Sequence, residues 1–320
     1  MSRAAIDGLS AAAVRPASAR VDGRTLIEFA KPGITRMVTI AAGFGFALAA
    51  LYHGLAAQSL LIPLLGCVLG TALASAGANG LNQILERDRD ARMKRTLGRP
   101  LPTGRMTMGH AVGFSIACSV IGPVLLAATA SPEASIAALA TILLYAFVYT
   151  PMKPASSLAV IVGAVPGAIP VLIGWLAASP TPLADLRTPA AWSIFAVLFV
   201  WQMPHFLAIA SMHRADYQRG GFRAIPGNLD DRRLSWVVLA WSAALIAVAY
   251  TPPLVMPDHL GLLSAVAATL LGLGLLRSAW RYTRDPGPAR ARGVFIFTII
   301  YLPLMLLALT VDATAHGFLR

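Results

Sequence analysis

The stretch NQILERDRDARMKRTLGRPLPTGR, residues 82–105, closes a long apolar segment and is rich in both acids and bases. Its residues Asn82, Glu86 and Asp90 recur every four positions. On a helix this spacing places three oxygen-bearing side chains on one face, about one turn apart. Basic residues follow at once, namely Lys94, Arg95, Arg99 and Arg105. Carboxylates beside cations at the mouth of an apolar span indicate a site for Mg²⁺ and a diphosphate.

The composition predicts an integral membrane protein. Of the 320 residues, 57% are hydrophobic and 12% charged, and the mean hydropathy is +0.69. Apolar segments of about 20 residues are long enough to cross a ~30 Å hydrocarbon core. We therefore expect an all-α fold, a polytopic bundle of nine transmembrane helices, at 34–53, 58–81, 107–129, 134–151, 157–178, 189–211, 233–252, 259–279 and 292–313.

The distribution of basic residues predicts the orientation. Of the 26 Lys and Arg residues, all but Arg187 and Arg320 lie at or before the first span or after an even-numbered span. By the positive-inside rule the N-terminus is cytoplasmic and the C-terminus external, in the cell (inner) membrane. The net charge of +12 is then explained by topology, so it does not indicate a nucleic-acid partner.

Two regions are expected along the chain. Residues 1–30 lack an apolar core typical of a signal peptide and are read as a disordered cytoplasmic segment, ending in a short interfacial helix near Thr25–Ala30. Residues 31–316 form a single transmembrane domain. Cys67 and Cys118 lie in apolar spans and are assigned to packing. Prolines inside spans predict kinked or broken helices, at positions 166, 170 and 204.

The first candidate site assigns Asn82, Glu86 and Asp90 to Mg²⁺. This cation takes few protein oxygens and completes its shell with water and phosphate oxygens. Arg95 and Arg99 can fork onto phosphate. Asp88 lies off the common face and is expected to be solvated. The alternative is a loop that only sets topology and whose acids pair with its arginines, but it leaves the four-residue spacing unexplained.

A second candidate site lies in WQMPHFLAIASMHRADYQRGGF, residues 201–222. At 100° per residue its polar side chains share about a quarter of the helix circumference, and such a stripe should face the bundle interior. Asp216 would be a second metal or diphosphate ligand, and the deeper His205 would act on an acceptor. Packing is the alternative for His205, and an interfacial position is the alternative for His213. The stripe comprises Gln202, His205, His213 and Asp216.

These motifs together resemble the UbiA superfamily of intramembrane prenyltransferases, and within it the branch that farnesylates haem. The resemblance runs from about Lys31 to the end of the ninth span. It departs at Glu86, where Asp is more usual, and at Pro154, where a second basic residue is usual. It rests on KPGIT (31–35), residues 82–105, YTPMK (149–153), GAVPGAIPVLIGW (163–175), WQMPHF (201–206) and DYQRGG (216–221).

The resemblance implies transfer of farnesyl from farnesyl diphosphate to a vinyl group of haem B, followed by water addition to give haem O. Haem B is then a substrate, not a cofactor, and Mg²⁺ is the cofactor. Haem A synthase or terminal oxidase assembly factors are the implied partners. Metal and catalytic roles fall to Asn82, Glu86, Asp90 and Asp216, and His205 is a further catalytic candidate. Gln202 and His205 would orient the haem. Diphosphate binding falls to Lys94, Arg95, Arg99 and Lys153.

Three alternatives stay open at this point. One is a prenyltransferase with another acceptor, such as a quinone precursor or chlorophyllide. A second is an ion-coupled transporter, which would need polar residues at the bilayer midplane of several spans, whereas the charges here cluster at one face. A third is a phospholipid-head-group phosphotransferase, whose usual acidic motif is missing from residues 82–105.

Overall fold

The computed structural model describes residues 21–223 and 229–318. The first half contains α1 (Gly23–Phe29), α2 (Pro32–Tyr52), α3 (Ala57–Asp90), α4 (Met108–Thr129), α5 (Pro132–Leu143), a π-helical segment (Leu144–Tyr149), α6 (Thr150–Met152) and α7 (Ala159–Ala178). The second half contains α8 (Pro182–Asp185), α9 (Pro189–Met212), α10 (Arg214–Arg219), α11 (Asp231–Ala249), α12 (Thr251–Val255), α13 (Leu262–Arg284) and α14 (Pro288–Phe318).

Short polar side chains begin several of these helices. Thr107 accepts a hydrogen bond from the backbone N–H of His110 at the start of α4, and Ser131 accepts one from Ala134 at the start of α5. Asp230 does the same for α11, at 2.7 Å from the Arg233 nitrogen. Each cap satisfies a backbone donor that has no partner within the helix.

The nine predicted spans are confirmed within the described residues. Nine helical stretches are long and apolar enough to cross a membrane. The second is longer than predicted, because α3 continues through the charged residues to Asp90. Its 34 residues reach roughly 50 Å, well beyond a ~30 Å hydrocarbon core. The row of polar residues therefore lies on the last turns of a spanning helix.

The helices form a closed bundle around α7 and α9, the two spans with the largest buried share. α2 packs on α3 and α7, and α9 packs on α7, α11 and α14. Contact between α14 and α2 closes the bundle. The loops rich in Lys and Arg gather at one end, which holds the end of α3 and the starts of α4, α7, α11 and α14; we refer to it as the basic end.

Kinks or breaks were predicted at the interior prolines, and the structure shows no break there. α7 continues through Pro166 and Pro170, and α9 continues through Pro204. The fourth span is interrupted instead, by the π-helical turn just before Pro151. Such turns are frequent at functional sites.

The short helix expected near Thr25–Ala30 is present as α1. Phe29 is fully buried, and its carbonyl accepts a 2.6 Å hydrogen bond from Gln83 Nε2 on α3. Glu28 forms a two-pronged ion pair with Arg105, at 2.6 and 2.8 Å. Residues 21–30 are thus held against the bundle, whereas the disorder expected for residues 1–20 lies outside the described residues.

Candidate active site at the basic end

Asn82, Glu86 and Asp90 form one buried row on α3, as the four-residue spacing predicts. Their exposed fractions are 1%, 5% and 1%. Asp88 points elsewhere and is solvent-exposed beside Arg87, as expected. Three polar side chains buried at the end of a spanning helix need partners, because unsatisfied buried charge is costly.

Each member of the row is met by a cation from a different segment. Lys31 Nζ donates to Asn82 Oδ1 at 2.7 Å. Lys153 Nζ lies 2.9 Å from Glu86 Oε1. Arg99 Nη1 donates to Asp90 Oδ2 at 2.6 Å. The structure therefore brings together two segments that the sequence analysis selected, residues 82–105 and residues 149–153. It adds a third, the start of α2.

Lys31 is the site residue that sequence reasoning missed. It precedes Pro32 and adopts a left-handed conformation, with φ 51°, which is uncommon for a residue with a side chain. Such strained positions concentrate at functional sites. Burial and the nearby charges of Arg99 and Lys153 hold the pKa of Lys31 well below its usual range. The available signal was a lysine directly before the first span.

Lys153 has the opposite electrostatic setting. Burial acts to lower its pKa, but the neighbouring Tyr149 and the Glu86 carboxylate outweigh burial and raise the pKa above its usual value. The ammonium also lies 4.6 Å from the centre of the Tyr149 ring, which favours the charged form. Lys153 is therefore a permanent cation. The hydrogen-bond partner of Lys31 is the neutral amide of Asn82, and the charges of Glu86 and Asp90 offset burial and the neighbouring cations only in part.

The π-helical turn places an acceptor beside the row. Thr150 Oγ1 accepts a 3.0 Å hydrogen bond from Asn82 Nδ2 and donates to the Tyr145 carbonyl at 2.8 Å. With Lys31 on its oxygen and Thr150 on its nitrogen, the Asn82 amide has one fixed orientation. Its oxygen is thus presented toward the cations.

Two carboxylate oxygens of the row are available to a metal. Asp90 Oδ1 and Glu86 Oε1 are both buried and accept no hydrogen bond, although Lys153 lies near the latter. No group of three or more His, Cys, Asp and Glu side chains at metal-binding spacing occurs in the described residues. A sparse set of hard oxygens fits Mg²⁺, which keeps water and substrate oxygens as ligands.

Asp216 joins the second motif to the first loop. It is 8% exposed, accepts a 3.2 Å hydrogen bond from the Lys94 backbone N–H, and forms an ion pair with Arg219. Burial acts to raise its pKa, but Arg219 and the Lys94 N–H outweigh burial and hold the pKa below its usual value. Asp216 is therefore an ionised carboxylate that ties residues 213–220 to the loop after α3.

Aromatic rings pack against Arg89 at the end of α3 and against Arg95 in the loop that follows. The Arg95 guanidinium lies 5.6 Å from the Tyr217 ring centre, and Arg89 lies at the same distance from Phe222. The Lys94 side chain is exposed, and its recorded contact is through its backbone. The two loops thus pack face to face over the end of the bundle.

Gln202 and His205 do not share a site, contrary to the predicted stripe. Gln202 Nε2 donates to the Ala164 carbonyl on α7 at 3.1 Å, and its amide fills the space left by Gly167. His205 Nδ1 instead lies 2.8 Å from Thr298 Oγ1 on α14 and stacks on Trp201. Three residues advance a helix by 300°, and α7 and α14 flank α9 on different sides.

The helix is also interrupted at His213, so the predicted stripe does not continue to Asp216. It has φ −116° and ψ 24° and separates α9 from α10, so the chain turns between His205 and Asp216. His205 and Asp216 therefore lie on two different helices, and a shared face calculated for one continuous helix does not describe them. The structure assigns His213 a place at this junction and gives it no contact with the row on α3.

Buried carboxylates opposed by cations at one end of a membrane bundle are the arrangement that the resemblance to intramembrane prenyltransferases predicts. Residues 37–302 match the UbiA prenyltransferase family, and the chain belongs to this family.

Curated relatives are similar over nearly the whole chain. A protoheme IX farnesyltransferase of Solibacter usitatus is 38% identical, over 88% of this chain and 96% of that protein. One of Anaeromyxobacter sp. is also 38% identical, over 95% of this chain and 98% of that protein. Among solved structures, a UbiA homologue of Archaeoglobus fulgidus bound to GPP and Mg²⁺ superposes with a TM-score of 0.59 at 15% identity. That match covers 89% of this chain and 99% of that one, and it supports the fold.

Proposed function

We propose that this protein transfers the farnesyl group of farnesyl diphosphate to a vinyl group of haem B, with water addition, to make haem O. The observation that carries the proposal is the pairing of Asn82, Glu86 and Asp90 with Lys31, Lys153 and Arg99. The curated relatives that bear the name protoheme IX farnesyltransferase supply the acceptor.

The paired charges suit a metal–diphosphate substrate. Asn82, Glu86 and Asp90 would hold Mg²⁺, with Asp216 as a further carboxylate from the second motif. The ion would supply charge neutralisation to the leaving diphosphate. Lys153 and Arg99 would turn from their carboxylates, and Lys31 from the Asn82 amide, to the phosphate oxygens, joined by the loop cations Lys94 and Arg95. Lys153 and Arg99 would then exchange one partner of opposite charge for another, and Lys31 would gain one.

The chemistry that the residues support is ionisation of an allylic carbon–oxygen bond. The electron pair stays on the diphosphate, whose charge the lysines and arginines stabilise. Tyr149, which packs against Gly163 and beside Lys153, presents an aromatic face to the developing allylic cation. The vinyl carbon then supplies electrons to form the new carbon–carbon bond. Water adds to the resulting cation and loses a proton, which gives the hydroxyethylfarnesyl group.

The acceptor side is proposed to lie along α9 and α14. His205 is sandwiched between Trp201 and Phe295, with ring centres at 4.9 and 5.1 Å, and its Nδ1 is held by Thr298. A flat aromatic wall with an oriented imidazole fits a planar macrocycle. Gln202, which was expected to orient the haem, is instead proposed to hold the two central helices together through its contact with α7.

We further propose that the basic end faces the cytoplasm of a bacterial cell, in the inner membrane, with the C-terminus external. The excess of Lys and Arg in the loops at that end supports this orientation. The product would pass to haem A synthase or to terminal oxidase assembly factors in the same membrane.

The proposed reaction is tested with membranes that contain the protein. They are incubated with haem B, farnesyl diphosphate and Mg²⁺, and the extract is examined for haem O by mass spectrometry. A parallel incubation replaces haem B by 4-hydroxybenzoate. Haem O in the first incubation and no prenylated product in the second supports the proposal; the reverse result assigns the protein to quinone precursors.

A further inference from the structure

Side chains of α7, α9 and α11 line an apolar groove that the proposed reaction does not use. The space enclosed within it is ≈ 90 Å³. Met203 and Leu207 of α9 form a buried floor. The walls are Leu158 and Ile161 on one side, and Val237 and Trp241 on the other. Leu158 and Ile161 are 58% and 41% exposed, so the groove is open along the flank of the bundle.

The mouth of this groove at the basic end is polar and positively charged. On α11, the exposed Arg233 lies one turn before Val237 and two turns before Trp241, on the same helix face. On the opposite side, Ser157 borders the groove. Arg223 lies beside the chain that leads to Ser157, because its backbone N–H donates to the Lys153 carbonyl at 3.0 Å and its guanidinium lies 3.5 Å from the Ala155 carbonyl.

We propose that the groove binds an anionic phospholipid, with an acyl chain along Met203 and Leu207 and the phosphate between Arg233, Arg223 and Ser157. The eight helical steps from Arg233 to Trp241 span about 12 Å, so a chain attached to a phosphate at the mouth runs the length of the groove. An apolar slot with basic residues only at the headgroup level complements a lipid of negative charge. The bound lipid bridges α7 and α11, the two helices on either side of the α9 floor.

The test measures lipid retention on the full-length protein, purified in mild detergent, by native mass spectrometry. The probes are phosphatidylglycerol and phosphatidylcholine with the same acyl chains. Val237→Trp fills the groove, and Arg233→Glu reverses the charge at the mouth. Matched controls are Leu270→Trp on the exposed face of α13 and Arg292→Glu on α14.

We expect the wild type and both controls to retain phosphatidylglycerol in preference to phosphatidylcholine. Both groove variants should retain roughly tenfold less phosphatidylglycerol, Arg233→Glu because it reverses one interfacial charge and Val237→Trp because the indole occupies the space of the acyl chain. Because Arg233 is exposed, Arg233→Glu should fold normally, and it still measures lipid retention if Val237→Trp perturbs folding. Unchanged retention in Arg233→Glu, or equal retention of the two lipids by the wild type, overturns the proposal. Displacement of the lipid by a farnesyl thiodiphosphate also overturns it, because the groove then belongs to the donor substrate.

Discussion

Lys31 and Asn82, 51 residues apart in the chain, are joined by a 2.7 Å hydrogen bond at the basic end of the bundle. The bond connects a lysine in a left-handed backbone conformation with the first residue of the polar row on α3. Lys31 thus holds the amide in place, and in the proposed function it becomes a phosphate ligand.

Replacement of Lys31 by Met should lower kcat/KM for farnesyl diphosphate by about 10²–10³, the usual cost of one charge contact in the transition state. Steady-state assays at varied farnesyl diphosphate measure this loss. Arg36→Met, one turn away and exposed, is the matched loss of charge and should leave the rate within a few-fold. Equal effects of the two changes would remove Lys31 from the site.

Lys153→Met should destabilise the protein, because it leaves the Glu86 carboxylate buried without its cation. Breaking a buried pair from one side costs about 3–5 kcal/mol. The double change Lys153→Met with Glu86→Gln should recover most of the thermal stability in detergent while turnover stays low. The exposed pair Asp285 and Arg290 serves as the control, and its neutralisation should shift neither property. Recovery of activity in the double variant would make this ion pair purely structural.

Asp90→Asn should abolish turnover and its dependence on Mg²⁺, with a loss of at least about 10² in rate. The amide keeps the size of the side chain but gives up the charge of an oxygen that accepts no hydrogen bond. Asp88→Asn, the exposed neighbour, should behave as wild type. Wild-type protein treated with EDTA should lose activity and regain it with added Mg²⁺. Full activity of Asp90→Asn in the presence of EDTA contradicts the metal assignment.

His205→Ala should raise the KM for haem roughly tenfold, about 1.4 kcal/mol, with the affinity for farnesyl diphosphate unchanged. The imidazole lies toward α14, whereas the cations that would bind diphosphate gather around α3. Separate titrations of the two substrates in nanodiscs distinguish these effects. His213→Ala is the control at the junction of α9 and α10. A loss confined to diphosphate affinity would place His205 in the metal site, and no loss at all would leave it a packing residue.

The orientation is tested by reporters fused after Arg320 and inserted near Asp230. The asymmetry of basic residues predicts an external signal for the first and a cytoplasmic signal for the second. Signals on the same side of the membrane would contradict an odd number of spans.

The spans and the polar row were predictable because both depend on local periodicity. The length of an apolar segment determines whether it can span the membrane as a helix. A four-residue spacing places side chains on one helix face, and both rules hold whatever the helix packs against. Asn82, Glu86 and Asp90 accordingly share one buried face, and Asp88 is solvated.

The partners of these residues were not predictable, because they depend on how helices pack. The contact of Lys31 with Asn82 joins different helices, and no spacing in the sequence encodes it. Gln202 and His205 differ by only 60° on α9, yet α7 takes one side chain and α14 takes the other. The break at His213 is a local backbone conformation, and residues 205–219 around it contain no glycine or proline to signal it.

The pairing of each buried acid or amide of α3 with a basic residue makes two binding events interdependent. When a carboxylate binds Mg²⁺, its basic partner is left unpaired, and when a basic residue binds phosphate, its carboxylate is left unpaired. An unpaired buried charge costs several kcal/mol. In the proposed function the affinities for metal and for donor are therefore thermodynamically coupled, and reciprocity requires each ligand to strengthen the binding of the other by the same factor. Free Mg²⁺ or a metal-free diphosphate should each bind weakly, so that the site selects the two together.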